Sequence, residues 1–227
     1  MRSFHYEKKY KFLWGLFLLA AWSTVLLLFL KHQDGLTAQS LASYQPERPF
    51  ISFLIMLGLF LLKSVDFFIH SGILYAADGI MFSLPVALVL NLVGIIITVT
   101  PTFFLGHIWG PQVIEILYSK YPKLKTFTQG TEGGNFMVAV LLRTVGLPIQ
   151  IGSVYMGAAN YSFGRFLSGS VLGLLPRMVP YTVMGDSASK LDSPVFVIAL
   201  TIEVLIVIAS LVIGAVMIKR RTASEHT

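Results

Sequence analysis

The stretch "FISFLIMLGLFLLKSVDFFIHSGILYAADGIMF", Phe50–Phe82, decides how the rest of the chain is read. It is apolar enough for hydrocarbon, yet Lys63, Asp66, His70, Asp78 and three glycines interrupt it. Lys63, Asp66 and His70 are spaced three and four apart, which puts them on one face of a helix. Such a face is either buried inside protein or not in lipid at all. Broken helices at membrane depth are tolerated only where protein or water surrounds them. The stretch therefore reads as a re-entrant hairpin, with Gly72 a hairpin position and Asp78–Gly79 a turn that Asp78 caps.

Composition places the whole chain in the same solvent. Of its 227 residues 55% are hydrophobic and 12% charged, with a mean hydropathy of +0.75. Soluble domains carry about 25% charged residues, so this is an integral membrane protein. The absence of cysteine excludes disulfides and thiolate chemistry. The formal net charge of +6 comes from basic residues beside apolar segments, which membrane orientation requires and nucleic-acid binding does not. No metal-ligand cluster, Walker loop or nucleotide fingerprint is present, so no metal or cofactor is expected.

Working outward, Phe12–Leu30 is uncharged and long enough to cross about 30 Å of hydrocarbon. Arg2, Lys8, Lys9 and Lys11 before it put the N-terminus in the cytoplasm, and residues 31–49 form an outer loop. Val195–Ile218 is the clearest other span, closed by the cytoplasmic Lys219, Arg220 and Arg221. Ser83–Trp109 is a third, kinked at Pro101. Around "YSKYPKLK", Val113, Ile114, Leu117 and Tyr121 form an apolar stripe, which predicts a helix on the cytoplasmic surface ended by Pro122. Residues 164–184 are a fourth crossing. Asn135–Tyr161 is apolar but broken by Arg143, Pro148 and glycines, so it enters and leaves on the inner side as residues 50–82 do on the outer.

The two broken regions share a register. Lys63, Gly72 and Tyr75 fall on Arg143, Gly152 and Tyr155 at one offset. Gly94, Pro101 and Gly106 fall on Gly173, Pro180 and Gly185 at an offset one residue shorter. Opposite orientations and a shared register predict an inverted repeat, 50–110 and 135–185, with a site between its halves. The expected fold is an all-α polytopic membrane protein of about four transmembrane helices plus two opposed re-entrant hairpins. Its parts are residues 1–49, a core over 50–193, and a last helix with a basic tail over 194–227.

Four stretches resemble a known family. They are "FFLGHIWG", "YPKLK", "VLLRTVGLPIQIGSVYMGA" and "FLSGSVLGLLPRMVPYTVMGDSA". Their order and spacing are similar to those of the DedA superfamily, in its SNARE-associated Golgi protein or VTT-domain branch. His107 stands where the family's first-motif arginine would be, Gly146 replaces its first proline, and Ile149 replaces a second arginine. The resemblance implies a bacterial-type multispan protein of the cell membrane with two opposed re-entrant loops. It also implies lipid movement across bilayers, of polyprenyl-phosphate carriers or phospholipids.

Ionisable groups at membrane depth are costly and usually face a cavity and pair. Lys63 can hold a head group while Asp66, one turn on, carries a proton with His70 beside it; an interfacial Lys63–Asp66 pair is the plainer account. Arg143 precedes a Gly/Pro break, where a guanidinium can grip phosphate oxygens or merely hold hairpin carbonyls. Glu203, alone near the middle of the last span, is a proton-coupling candidate or a neutral packing residue. Gly169, Gly173, Gly106 and Gly110 read as close helix contacts. The expected function is movement of an anionic lipid between leaflets, with Lys63 and Arg143 on the phosphate. The alternative is a non-transporting membrane-organising protein whose charges lock the bundle. No nucleophile, base and oxyanion set suggests an enzyme.

Overall fold

The computed structural model describes residues 48–66, 70–128, 134–145 and 147–224. The expected first span, Phe12–Leu30, its outer loop as far as residue 47, and Gly146 lie outside the described residues. Every regular element among the described residues is helical.

Proline, glycine and small polar residues set the helix ends. Helix α1, Pro49–Lys63, opens on a proline, which lacks the N–H that a first turn leaves unpaired. It stops at Lys63, and Ser64 folds its hydroxyl back onto Leu61 O at 2.7 Å. After a break, α2 runs Ser71–Met81, capped by His70, whose Nδ1 accepts from Gly72 N at 3.2 Å. The long α3, Leu84–Trp109, contains Pro101 and ends at Gly110, whose φ of 72° favours a glycine. Two short helices follow, α4 over Gln112–Lys120 and α5 over Pro122–Thr128. Then come α6, Gly134–Thr144, a break at Pro148, and α7, Ile149–Ala158. Helix α8 spans Phe163–Asp186 and carries Pro176 and Pro180; α9 spans Pro194–Ser224.

Length sorts these helices by what they can cross. At about 1.5 Å per residue, the 26 residues of α3 and the 23-residue, predominantly apolar stretch Pro194–Val216 of α9 exceed a bilayer's hydrocarbon. The 15 residues of α1 and 11 of α6 do not. The face that α9 turns outward is aliphatic, from Val195 and Ile198 to Leu205 and Leu211.

Packing repeats between the halves. Helix α1 lies on α3 and α6 lies on α8, while the second arms cross over, α2 onto α8 and α7 onto α3. Glycines make the crossings possible. A Cβ on Gly79 would strike Thr182 O, and one on Gly157 would strike Phe103 O; Gly185 meets Ala76 O as Gly106 meets Val154 O. Without a hydrophobic drive between helices in lipid, such backbone approach is a main source of association.

These contacts correct the register of the second arms. Gly79 matches Gly157 and Ala76 matches Val154, two residues off the Gly72/Gly152 and Tyr75/Tyr155 alignment. The breaks differ in length, seven residues against four, which is enough to account for the two-residue shift. The first arms keep the expected register: Phe60 packs on Gly94 as Val140 packs on Gly173. Lys63 and Arg143 therefore remain equivalent, whereas Tyr75 and Tyr155 do not.

Other expectations are corrected as well. Lys63, Asp66 and His70 do not share a helix face; Lys63 closes α1, Asp66 lies in the break and His70 caps α2. Asp78 does not cap a turn, because α2 continues to Met81 and buries it within the bundle. The stripe Val113, Ile114, Leu117 and Tyr121 packs against the hydrophobic core instead of lying free on a surface. Tyr118 extends that attachment through hydroxyl contacts of 3.1 Å to Thr128 and to Tyr155 of α7.

Candidate functional site

The two breaks meet. Gln150, at the start of α7, donates from Nε2 to the main-chain oxygens of Lys63, at 2.8 Å, and of Asp66. Lys63 Nζ, itself buried, donates to Asp66 O at 2.8 Å. Carbonyls that a helix end would leave open are thus closed within the protein, as burial away from water demands.

Beside this junction lies a cavity of about 250 Å³. Lys63, Arg143, Arg177 and His70 contribute its charged and titratable lining, with Ser71, Tyr75, Gln150 and Tyr181 among the polar groups. No Asp or Glu lines it among the described residues. The first residues of both second arms, Ser71–Gly72 and Ile149–Gln150, reach it. Helix N-termini carry unpaired N–H groups and partial positive charge. Cations, donors and two helix N-termini around one small space make an environment suited to an anion.

Arg143 is 3% exposed and held on several sides. Its Nη1 donates to Ile149 O at 2.7 Å, Nη2 to Ser153 Oγ at 2.8 Å, and Nε and Nη2 to Ser170 Oγ at 3.3 and 3.0 Å. Phe166 lies under the guanidinium, its ring centre 5.5 Å away. The arginine thus ties α6 to α7 and α8 while forming part of the cavity wall. His70 packs on Tyr181, with ring centres 5.7 Å apart.

Glu203 is not alone. Its Oε1 accepts from Arg177 Nε at 3.2 Å, joining α9 to α8, and it does not line the cavity. Of the expected hairpin and kink positions, Gly72 and Pro148 line the cavity. Gly152 packs against Arg143, a Cβ there lying 3.0 Å from Nη1, whereas Pro101 and Pro180 sit inside α3 and α8.

Sequence reasoning missed Arg177, Gln150 and Tyr181. Arg177 carried a usable signal, since an arginine near the middle of a 24-residue helix is as costly in hydrocarbon as Glu203. Gln150 carried none, because its role depends on the α1 carbonyls it meets.

Comparison with known proteins found the VTT domain family model matching residues 68–187. Neither the search of curated proteins nor that of solved structures found a match. The matched segment runs from the first break to the end of α8, covering more than half of the chain and most of the cavity wall. The chain belongs to the VTT-domain family, the domain of DedA and SNARE-associated Golgi proteins.

Proposed function

We propose that this chain moves lipids with an anionic, phosphate-bearing head group between leaflets, with Lys63 and Arg143 as ligands of the phosphate. One observation carries the reading: a cavity that no carboxylate lines among the described residues, where both cations and two broken-helix N-termini converge. Its volume, about 250 Å³, falls below the roughly 300–1,000 Å³ of sites that enclose whole small molecules. It suits a head group whose acyl chains stay in lipid.

In this reading α3, α8, α9 and residues 12–30 cross the membrane, and α1–α2 and α6–α7 are hairpins entering from opposite faces. Both termini are cytoplasmic and the membrane is the bacterial plasma membrane. The crossed packing of the second arms supports the inverted relationship, since it brings the two breaks together. Asp66 and His70, at the first break, are the candidates for proton coupling. The partners are membrane lipids, not nucleic acid, and no bond-breaking reaction is involved.

The second reading, a bundle that organises membrane without transport, is favoured by one observation: Arg143 already donates to Ile149, Ser153 and Ser170. Proteoliposomes separate the two. A labelled anionic lipid should exchange between leaflets faster with the protein than without it. Equal rates would leave the organising role.

A further inference from the structure

We infer that Arg177 is a third phosphate ligand of the cavity, and that Glu203 is a positioning residue for it instead of a proton carrier. The inference rests on the anionic head-group reading and extends it beyond the family domain. The matched domain ends at residue 187, whereas Glu203 lies on α9.

Three observations carry it. Arg177 lines the cavity on the α8 side, together with Lys63 and Arg143. Its side chain is 24% exposed, against 6% for its partner, so the guanidinium reaches open space while the carboxylate does not. The pairing is also one-pronged. Glu203 engages Nε through Oε1, and Oε2 is buried with no hydrogen-bond partner among the described residues. A pair built only to staple α8 to α9 would use two parallel bonds, the strong geometry for arginine and carboxylate. Held by Nε with Tyr181 beside it, the fork is fixed in direction, and its terminal nitrogens stand outside the bond to Glu203 and face the cavity side of the pair.

The repeat supports a role outside packing. The α3 position equivalent to Arg177 is Thr98, whose hydroxyl donates to Phe60 O at 3.1 Å. Thr98 closes a contact of α3 with α1, whereas Arg177 has its partner on α9, outside the repeat. Arg177 is thus an addition to the shared architecture, and it is placed at the cavity. Tyr181, one turn on, lies close to both Arg177 and Glu203 and packs on His70, so the pair is continuous with the other wall.

The test uses the full chain in lipid nanodiscs, titrated with inorganic phosphate and read by phosphorus-31 NMR line broadening. A second set of discs contains phosphatidic acid as competitor. Phosphate should bind the wild type, and phosphatidic acid should displace it. Arg177→Lys keeps charge and the chance to pair, but loses the fork; it should weaken phosphate binding about tenfold, as expected for one charge-assisted contact. Glu203→Gln should weaken it similarly, and the double variant should be no worse than the weaker single, because Glu203 acts through Arg177. Wild-type affinity in Arg177→Lys overturns the inference while leaving the Lys63–Arg143 site standing. A Glu203→Gln variant that is less heat-stable yet binds phosphate normally reduces the pair to a staple. Failure of the wild type to bind phosphate overturns both the inference and the reading beneath it. Phosphate binding that phosphatidic acid does not displace keeps Arg177 as an anion ligand but removes the lipid as its source.

Discussion

Gln150 Nε2 donates to Lys63 O at 2.8 Å, so the break in one half of the molecule is closed by the first turn of the other half. The same amide also reaches Asp66 O, so one side chain serves two carbonyls at the edge of the cavity. A Gln150→Met replacement keeps volume and removes the donor. Lys63 O then loses this donor while Asp66 O keeps Lys63 Nζ, a cost of about 1–3 kcal/mol for the one unsatisfied group. The unfolding temperature in detergent should fall and the cavity should loosen. An unchanged temperature would mean that water replaces the amide without loss.

Gly79 and Gly157 occupy equivalent crossings, each facing a carbonyl of the opposing long helix. Gly79→Ala and Gly157→Ala should each destabilise by roughly 1–3 kcal/mol or more, because backbone cannot move aside as a side chain can. Gly164→Ala, in open space, is the control and should be silent. Unequal effects at the two crossings would argue against the corrected register.

Asp78 is 0% exposed and neither of its carboxylate oxygens has a hydrogen-bond partner among the described residues. An isolated charge at such a position is strongly disfavoured. Asp78→Asn keeps the shape and removes the possibility of charge, so it should fold at least as stably as the wild type and express as well. A marked loss of folded protein would show that the carboxyl group has a required partner.

How much of this was legible before the coordinates depended on whether a residue's role was local. The two helix breaks were legible because lysine, aspartate and glycine inside apolar runs are costly wherever they lie. The equivalence of Lys63 and Arg143 was legible in the register that the two broken regions share. The second-arm register was not legible. Gly72/Gly152 and Tyr75/Tyr155 are identities of type, whereas the contacts match Gly79 with Gly157 and Ala76 with Val154. Unequal breaks shift the arms without leaving a trace in residue identity. Glu203 was visible as a costly charge, but its partner is set by how α9 lies on α8, which no local pattern encodes.

Orientation can be read in a chain that contains no cysteine. Single cysteines at Leu36 and Lys190 should react with an impermeant reagent from outside the cell. Those at Lys125 and Ser224 should react only after permeabilisation. Outside labelling at Lys125 would remove the opposed entry of the two hairpins.

The most direct measurement is leaflet exchange in proteoliposomes, comparing a labelled lipid with an anionic phosphate head group and a labelled lipid without phosphate. Wild type and Lys63→Gln are run in parallel. Lys63 is the cleaner probe, since Arg143 also ties three helices together. The account predicts faster exchange of the phosphate-bearing lipid by the wild type, and a loss of about tenfold or more in Lys63→Gln at equal folded protein, as one charge-assisted contact implies. Exchange no faster than in protein-free liposomes, or an unchanged rate and lipid preference in Lys63→Gln, would contradict it.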